Sequence, residues 1–398
     1  MKTRLALLFS IVFSVLNISA EIPKDAIQFV YNNHLYIQAS LQDTIPVSMI
    51  YDTGASNIYL DKDFIQLSKF GYNLNNKAKA ILSGAGNGGD TQYSMIVEPL
   101  KITMGTTKYK DEYTPIINLR EILGRHVDGM FGNGAFVNKS VIVNYEEGYI
   151  RPVKKLQHSD IEGFTQIPAK FHGKRVCLEA ELQVDSAQTV KGYFLLDLGC
   201  GASIVLTNKL RESLNLTGKN TAKSYTSNYG LGGDGSSVIF RANSFTMLDE
   251  LENVVVSGSF SQKGALAEKE RYVGIVGNPI LCHYDLIIDF ANQKLYARRN
   301  NNTDSDYYIS STEQMSYVDR TDICDGWIVI SIYHNGIAKQ AGFEIGDEIL
   351  SINGRPVKEI SWEEQRKGLG LTGPTTYEVK KKSGEIVTYI LNIEKEII

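Results

Sequence analysis

Val47-Ser48-Met49-Ile50-Tyr51-Asp52-Thr53-Gly54-Ala55-Ser56 is a short strand-like run that ends in an acidic, glycine-containing turn. The chain repeats this pattern. Tyr193-Phe194-Leu195-Leu196 is a similar apolar run, and it ends in Asp197-Leu198-Gly199-Cys200-Gly201 at an offset of 145 residues. Two further pairs keep that offset. Asp128-Gly129-Met130-Phe131-Gly132 corresponds to Val273-Gly274-Ile275-Val276-Gly277, and Val141-Ile142-Val143-Asn144-Tyr145 to Leu286-Ile287-Ile288-Asp289-Phe290.

Three landmarks in one register indicate two copies of a unit of about 130 to 145 residues, too long for a solenoid repeat. Strand signals dominate both copies. Leu35 to Leu41, Ser94 to Thr103, Cys177 to Val184 and Ser237 to Phe245 mix β-branched and aromatic residues with turn-forming neighbours. Helical patches are short, at Lys62 to Phe70 and Lys209 to Leu214. The expected fold is mainly β: two tandem β lobes around a cleft. Two glycine-rich turns lie at matching places, Ser83 to Asp90 and Gly230 to Gly235.

An Asp-x-Gly turn after an apolar strand presents a carboxylate at the tip of a tight loop, where glycine lets the chain bend closely. A two-fold relation between the lobes would bring both loops to a shared axis. Two facing carboxylates in a poorly solvated site cannot both ionise readily, so the pair holds one proton over a range of acidic pH. One member then takes a proton from water while the other polarises a carbonyl, and the proton is later relayed to the leaving nitrogen. That chemistry needs no metal and no cofactor.

On these motifs the lobes, roughly residues 25 to 300, resemble those of pepsin-like and retropepsin-like aspartic peptidases. The resemblance implies an aspartic endopeptidase with Asp52 and Asp197 as its catalytic pair. Thr53, Gly54, Ala55, Leu198, Gly199 and Cys200 would support the two turns. Gly84, Gly86 and Gly88 in one lobe, and Gly232 and Gly233 in the other, would belong to flaps over a substrate cleft. In that family the threonine of each turn bonds across to the opposite loop. Thr53 can do this and Leu198 cannot, and Cys200 is a weaker donor than the Ser or Thr often found at its position. These departures support a rival reading, a catalytically inactive peptide-binding protein that keeps the fold.

The polar run Asn300-Asn301-Asn302-Thr303-Asp304-Ser305-Asp306 reads as a linker. Beyond it the pattern changes. A strand is expected at Gly326 to Ile332, a short helix at Ile337 to Ala341 closed by Gly342, and a strand between Gly346-Asp347 and Asn353-Gly354. This tail resembles a PDZ domain, a small α+β module that binds peptide ends by strand addition. Met315 to Asp325, where a carboxylate-binding loop would lie, has no glycine signature. Aspartic peptidase lobes joined to a PDZ domain resemble a group of exported bacterial peptidases. The expected organisation is a signal peptide over 1–20, lobes over 21–157 and 158–299, a linker over 300–310 and a PDZ domain over 311–398.

Lys2 and Arg4, the apolar run Leu5 to Leu16, and Ile18-Ser19-Ala20 read as a secretory signal with a small-residue cleavage site. The expected location is periplasmic or secreted, with no transmembrane span in the mature chain and no large pro-domain before about Ala26. Export would let disulfides persist among Cys177, Cys200, Cys282 and Cys324, and reduced buried thiols are an equal alternative. A net charge of -4 without clustered Lys and Arg points away from nucleic acid. The expected partners are a peptide or protein substrate and a peptide ligand for the PDZ domain.

Several other chemistries lack support. Gly84 to Gly89 formally fits a dinucleotide fingerprint, but the next segment, Thr91 to Thr103, is strand-like rather than helical. Cys200 as a nucleophile would need a histidine base, and only His283 lies near it in the repeat register. No nucleophile elbow or zinc-binding helix motif occurs. Asn144, Asp289 and Asp128 read as strand-end and turn residues.

Overall fold

Each copy of the repeat is built on a strand enclosed on both faces. The computed structural model describes residues 22–68, 78–84, 90–136, 138–216, 223–230, 233–267, 271–302 and 313–394. Ile45–Tyr51 buries Val47, Met49, Ile50 and Tyr51. It pairs antiparallel with His34–Leu41 and parallel with Gly129–Phe131, Met49 lying opposite Gly129 and Tyr51 opposite Phe131. A strand with neighbours on both edges and protein on both faces needs an almost unbroken apolar run, which this sequence supplies. Its one polar member, Ser48, donates its N–H to Asp128 Oδ2 at 2.7 Å. The second copy repeats the plan. Thr189–Leu196 pairs antiparallel with Arg175–Gln183 and parallel with Gly274–Val276, Phe194 opposite Gly274 and Leu196 opposite Val276.

The two copies meet in a six-stranded sheet whose central pair is Ser140–Asn144 against Tyr284–Asp289, antiparallel. Ile142 lies opposite Ile287, its own counterpart in the repeat. The pseudo-two-fold axis therefore passes between these two isoleucines. One buried apolar cluster runs through both lobes, from Leu35, Val47 and Phe131 to Phe194, Val276 and Leu286. A separate cluster, including Trp327, Val329, Phe343, Ile349 and Tyr377, forms the core of the C-terminal module.

That module is docked on both lobes. Lys223–Gly230 of the second lobe pairs with Trp327–Tyr333, Thr226 opposite Tyr333 and Ser227 opposite Ile332, so one sheet continues from lobe to module. On the first lobe, buried Arg120 bonds Asp128 at 2.6 Å and Asp322 of the module at 2.9 Å. Arg320 of the module pairs with Asp63. Asp128, read from sequence as a plain turn residue, is thus part of the ion-pair group that anchors the module.

Other differences from the sequence reading have simple causes. Ser94 to Thr103 is two strands, Asp90–Ile96 and Leu100–Met104, because Pro99 has no N–H to continue a ladder. The first helix is shorter than expected, Lys62–Leu67, and the second, Asn208–Ser213, begins one residue early; each is started by a side-chain cap, from Asp61 or Thr207. Asn300, expected in a linker, is buried and its Nδ2 donates to Cys282 O at 2.9 Å, so it belongs to the second lobe. The rest of the expected linker from Thr303 onward, and the expected signal segment, lie outside the described residues. Among the described residues no helix is long and apolar enough to cross a membrane.

Candidate active site

Strands Ile45–Tyr51 and Thr189–Leu196 deliver their aspartates to the same place on the axis. The two carboxyl groups are hydrogen-bonded to each other. The approach is close enough to require glycine beside each. A Cβ on Gly54 would sit 2.9 Å from Asp197 Oδ2, and one on Gly199 would sit 2.3 Å from Asp52 Cγ. Local backbone donors hold both carboxyls: Ala55 N–H to Asp52 Oδ1 and Gly199 N–H to Asp197 Oδ1, each at 2.9 Å.

One side chain ties the turns across the axis. Thr53 is fully buried. Its hydroxyl donates to Leu196 O at 2.7 Å and accepts from Leu198 N–H at 2.9 Å. Leu198 occupies the matching position, is equally buried, and packs into the shared core. The returning strands expose another difference. Ile58 lies opposite Phe131, and Ile204 lies opposite Val276, so the second turn is one residue longer than the first.

Two asparagines that sequence reasoning passed over hold the turns from behind. Asn133 Nδ2 donates to Thr53 O at 3.1 Å and to Lys174 O at 2.6 Å. Asn278 Nδ2 donates to Leu198 O at 2.6 Å and to Asn33 O at 2.7 Å. Each thus joins the turn of its own lobe to the residue that precedes the first long strand of the other. Their carbonyls accept from Tyr51 and Tyr145 hydroxyls, both at 2.6 Å. A signal was present: both asparagines follow the landmark glycines Gly132 and Gly277 in the repeat register.

The electrostatics are unequal. Burial raises the carboxyl of Asp52, against hydrogen bonds from Ala55, Asp197 and Gly54 and the charge of Arg175. Burial raises Asp197 well above the usual carboxylate range, and the charge of Asp52 pushes it further. Both carboxyls are thus biased towards their protonated form, Asp197 the more strongly of the two. Arg175 and His34 begin the matching strands Arg175–Gln183 and His34–Leu41, and both line the cleft. His34 Nε2 donates to Gly199 O at 3.1 Å. Burial lowers its imidazole to about 4, so it is neutral through most of the acidic range. Burial and the neighbouring Asp197 push the Cys200 thiol up to about 12, which leaves no thiolate for nucleophilic attack. Among the described residues no disulfide joins Cys177, Cys200, Cys282 or Cys324.

The dyad lies at the floor of a cleft of about 800 Å³. Gly84 lines it, and its carbonyl accepts from Ala265 N–H of the second lobe at 3.3 Å. Gly86, Gly88 and Gly232 lie outside the described residues. Gly233 adopts φ +81° at the turn end of the hairpin formed by Lys223–Gly230 and Gly233–Thr246. From that second hairpin it is Ser236 and Ser237, not Gly233, that reach the cleft. Ser316, Ile330 and Ser331 of the C-terminal module complete the wall. Among the described residues no group of His, Cys, Asp and Glu could hold a metal ion.

Residues 309–374 match the family model of the PDZ domain. No curated protein matches the chain. Among solved structures, the chain is similar to the aspartic proteinase from Irpex lacteus, at 12% identity and a TM-score of 0.42, over 71% of this chain and 99% of that one.

Proposed function

We propose that the protein is an aspartic endopeptidase whose Asp52–Asp197 pair activates a water for attack on a peptide carbonyl. One observation carries this reading: two half-buried carboxyls, from matching turns, share a hydrogen bond at the floor of the cleft. Asp52, ionised, takes the proton of the attacking water. Asp197, protonated, polarises the carbonyl by donating to its oxygen. As the tetrahedral intermediate collapses, the proton gained by Asp52 goes to the leaving nitrogen. The thiol at Cys200 takes no part. The lysine- and arginine-led apolar run at the N-terminus supports export, and the combination of lobes and PDZ domain supports kinship with exported bacterial peptidases.

Leu198 and the longer second turn favour one rival, a binding protein that holds peptides without cutting them. The discriminating experiment is hydrolysis of a mixed peptide library between pH 3 and 7 by wild type, Asp52→Asn and Asp197→Asn. Wild type is expected to cleave, and each substitution to lower kcat/KM by roughly 10³-fold, within the range for loss of a general acid or base. Cleavage that survives either substitution, or no cleavage by wild type, sinks the peptidase reading.

A further inference from the structure

The PDZ domain does not merely touch the cleft. A second cavity, of about 720 Å³, lies between the first lobe and the face of the PDZ domain formed by strand Met315–Asp319, helix Trp362–Lys367 and the loop 368–372. His34, Ile122, Leu123 and Ile330 line both cavities. The two therefore adjoin at these four residues, and the pair forms a trough that leads from the dyad along the PDZ domain.

Three features of this trough suit an extended polypeptide. Its PDZ side is largely apolar, with Val318, Trp362, Leu369 and Leu371. It runs along the outer edge of Met315–Asp319, which among the described residues pairs with one strand only, Trp327–Tyr333, on its inner edge. That outer edge is competent for ladder bonds, because Arg125 N–H of the first lobe already donates to Asp319 O at 2.8 Å. Tyr317 and Val318 remain along the trough beyond that contact. The distance from this edge to the dyad is set by the docking described above, through Arg120–Asp322, Arg320–Asp63 and the Thr226–Tyr333 strand pairing.

We infer that the trough holds the same chain that is cut at the dyad: an extended, apolar internal segment of a protein substrate, which continues from the cleft and adds as a strand to the Tyr317–Val318 edge. This rests on the peptidase reading. It makes the PDZ domain part of the substrate site rather than a recruiter of separate partners. Substrates long enough to reach both places gain binding at the edge, and a free chain terminus is not required.

The test compares a short cleavable peptide with versions extended on either side by about eight residues containing aliphatic side chains, each made both amidated and with a free carboxylate at the C-terminus. kcat/KM is measured on the full chain as wild type, Leu371→Arg and Thr372→Arg, with thermal melts as a check on folding. In wild type one extension is expected to raise kcat/KM about tenfold, the worth of one well-buried apolar side chain. Both substitutions, neither of which borders the catalytic cleft, should return the ratio of long to short towards one. A ratio near one in wild type overturns the inference, as does a ratio that survives both substitutions. An extension that helps only with a free carboxylate also overturns it, because the groove then takes chain ends. If wild type cleaves no peptide, the peptidase reading has failed, and the same peptides are titrated by fluorescence anisotropy. The trough assignment then stands only if the extended peptide binds about tenfold tighter than the short one and Leu371→Arg removes that gain.

Discussion

The turn at Asp52 and the turn at Asp197 share everything that positions backbone and differ in what surrounds the proton. Parallel strands Gly129–Phe131 and Gly274–Val276 flank them in matching register. Asn133 and Asn278 hold them by matching bonds. Yet Thr53 faces Leu198, Arg175 stands where the other lobe has His34, and the second turn carries one residue more. A duplicated site keeps the symmetry that sets distance, because both carboxyls must arrive within bonding range. It is released from the symmetry that sets charge, because the proposed reaction needs one acid and one base.

The largest expected effect comes from removing the Thr53 hydroxyl, which joins the two turns. Thr53→Ala leaves Leu198 N–H and Leu196 O buried without it, which should cost about 2–4 kcal/mol of unfolding free energy. Leu198→Thr tests the other half. It supplies a hydroxyl but withdraws a fully buried leucine from the shared core, so a net loss of about 1–2 kcal/mol is expected. Denaturant unfolding of both variants decides the matter. Equal losses would mean that the bond contributes no more than ordinary packing.

Charge gives the next contrast. A buried carboxyl whose pKa is raised on folding stabilises the fold fully below the unfolded value near 3.9, and that contribution is lost as pH rises through the folded value. Both aspartates are raised, and Asp197 more so. Asp197→Asn should therefore stabilise the protein at pH 7 by about 1–2 kcal/mol, and Asp52→Asn by less, because Arg175 and backbone donors already favour its charged form. The gain should vanish near pH 4. A loss of stability at pH 7 for Asp197→Asn would show that this carboxyl is held by contacts an amide cannot make.

The duplication was legible because strands enclosed on both faces leave continuous apolar runs, and their register survives in the numbering. Asn133 and Asn278 lay in the same register but carry no periodic signal. Their role appears only when Lys174 O and Asn33 O arrive from the opposite lobe. The extra residue in the second turn was hidden because landmarks before and after it keep the 145-residue offset. The docking of the PDZ domain was not legible at all. It depends on Arg120, His126, Asp319 and Trp362, which are far apart in sequence and ordinary as residue types. His126 stacks on Trp362 at 4.2 Å between ring centres, and its Nε2 lies 3.4 Å from Asp319 Oδ2. Only the folded chain shows that these residues form one interface.

The smallest effect separates Arg175 from His34. In the proposed mechanism Asp52 must be ionised to accept a proton from water, so activity is expected to fall as pH drops through its folded pKa. Arg175 is a fixed cation that favours the ionised form. Arg175→Gln should raise the pKa of Asp52 and move the acidic limb of the kcat/KM profile to higher pH, by up to about one unit. His34 is neutral above about pH 4, so His34→Gln removes no charge there and should leave that limb in place. The two variants thus distinguish a charge from a scaffold at equivalent positions. If both move the limb by the same amount, the unequal dyad arises from the turns themselves, through Leu198 and the added residue, and not from what the two leading strands bring to them.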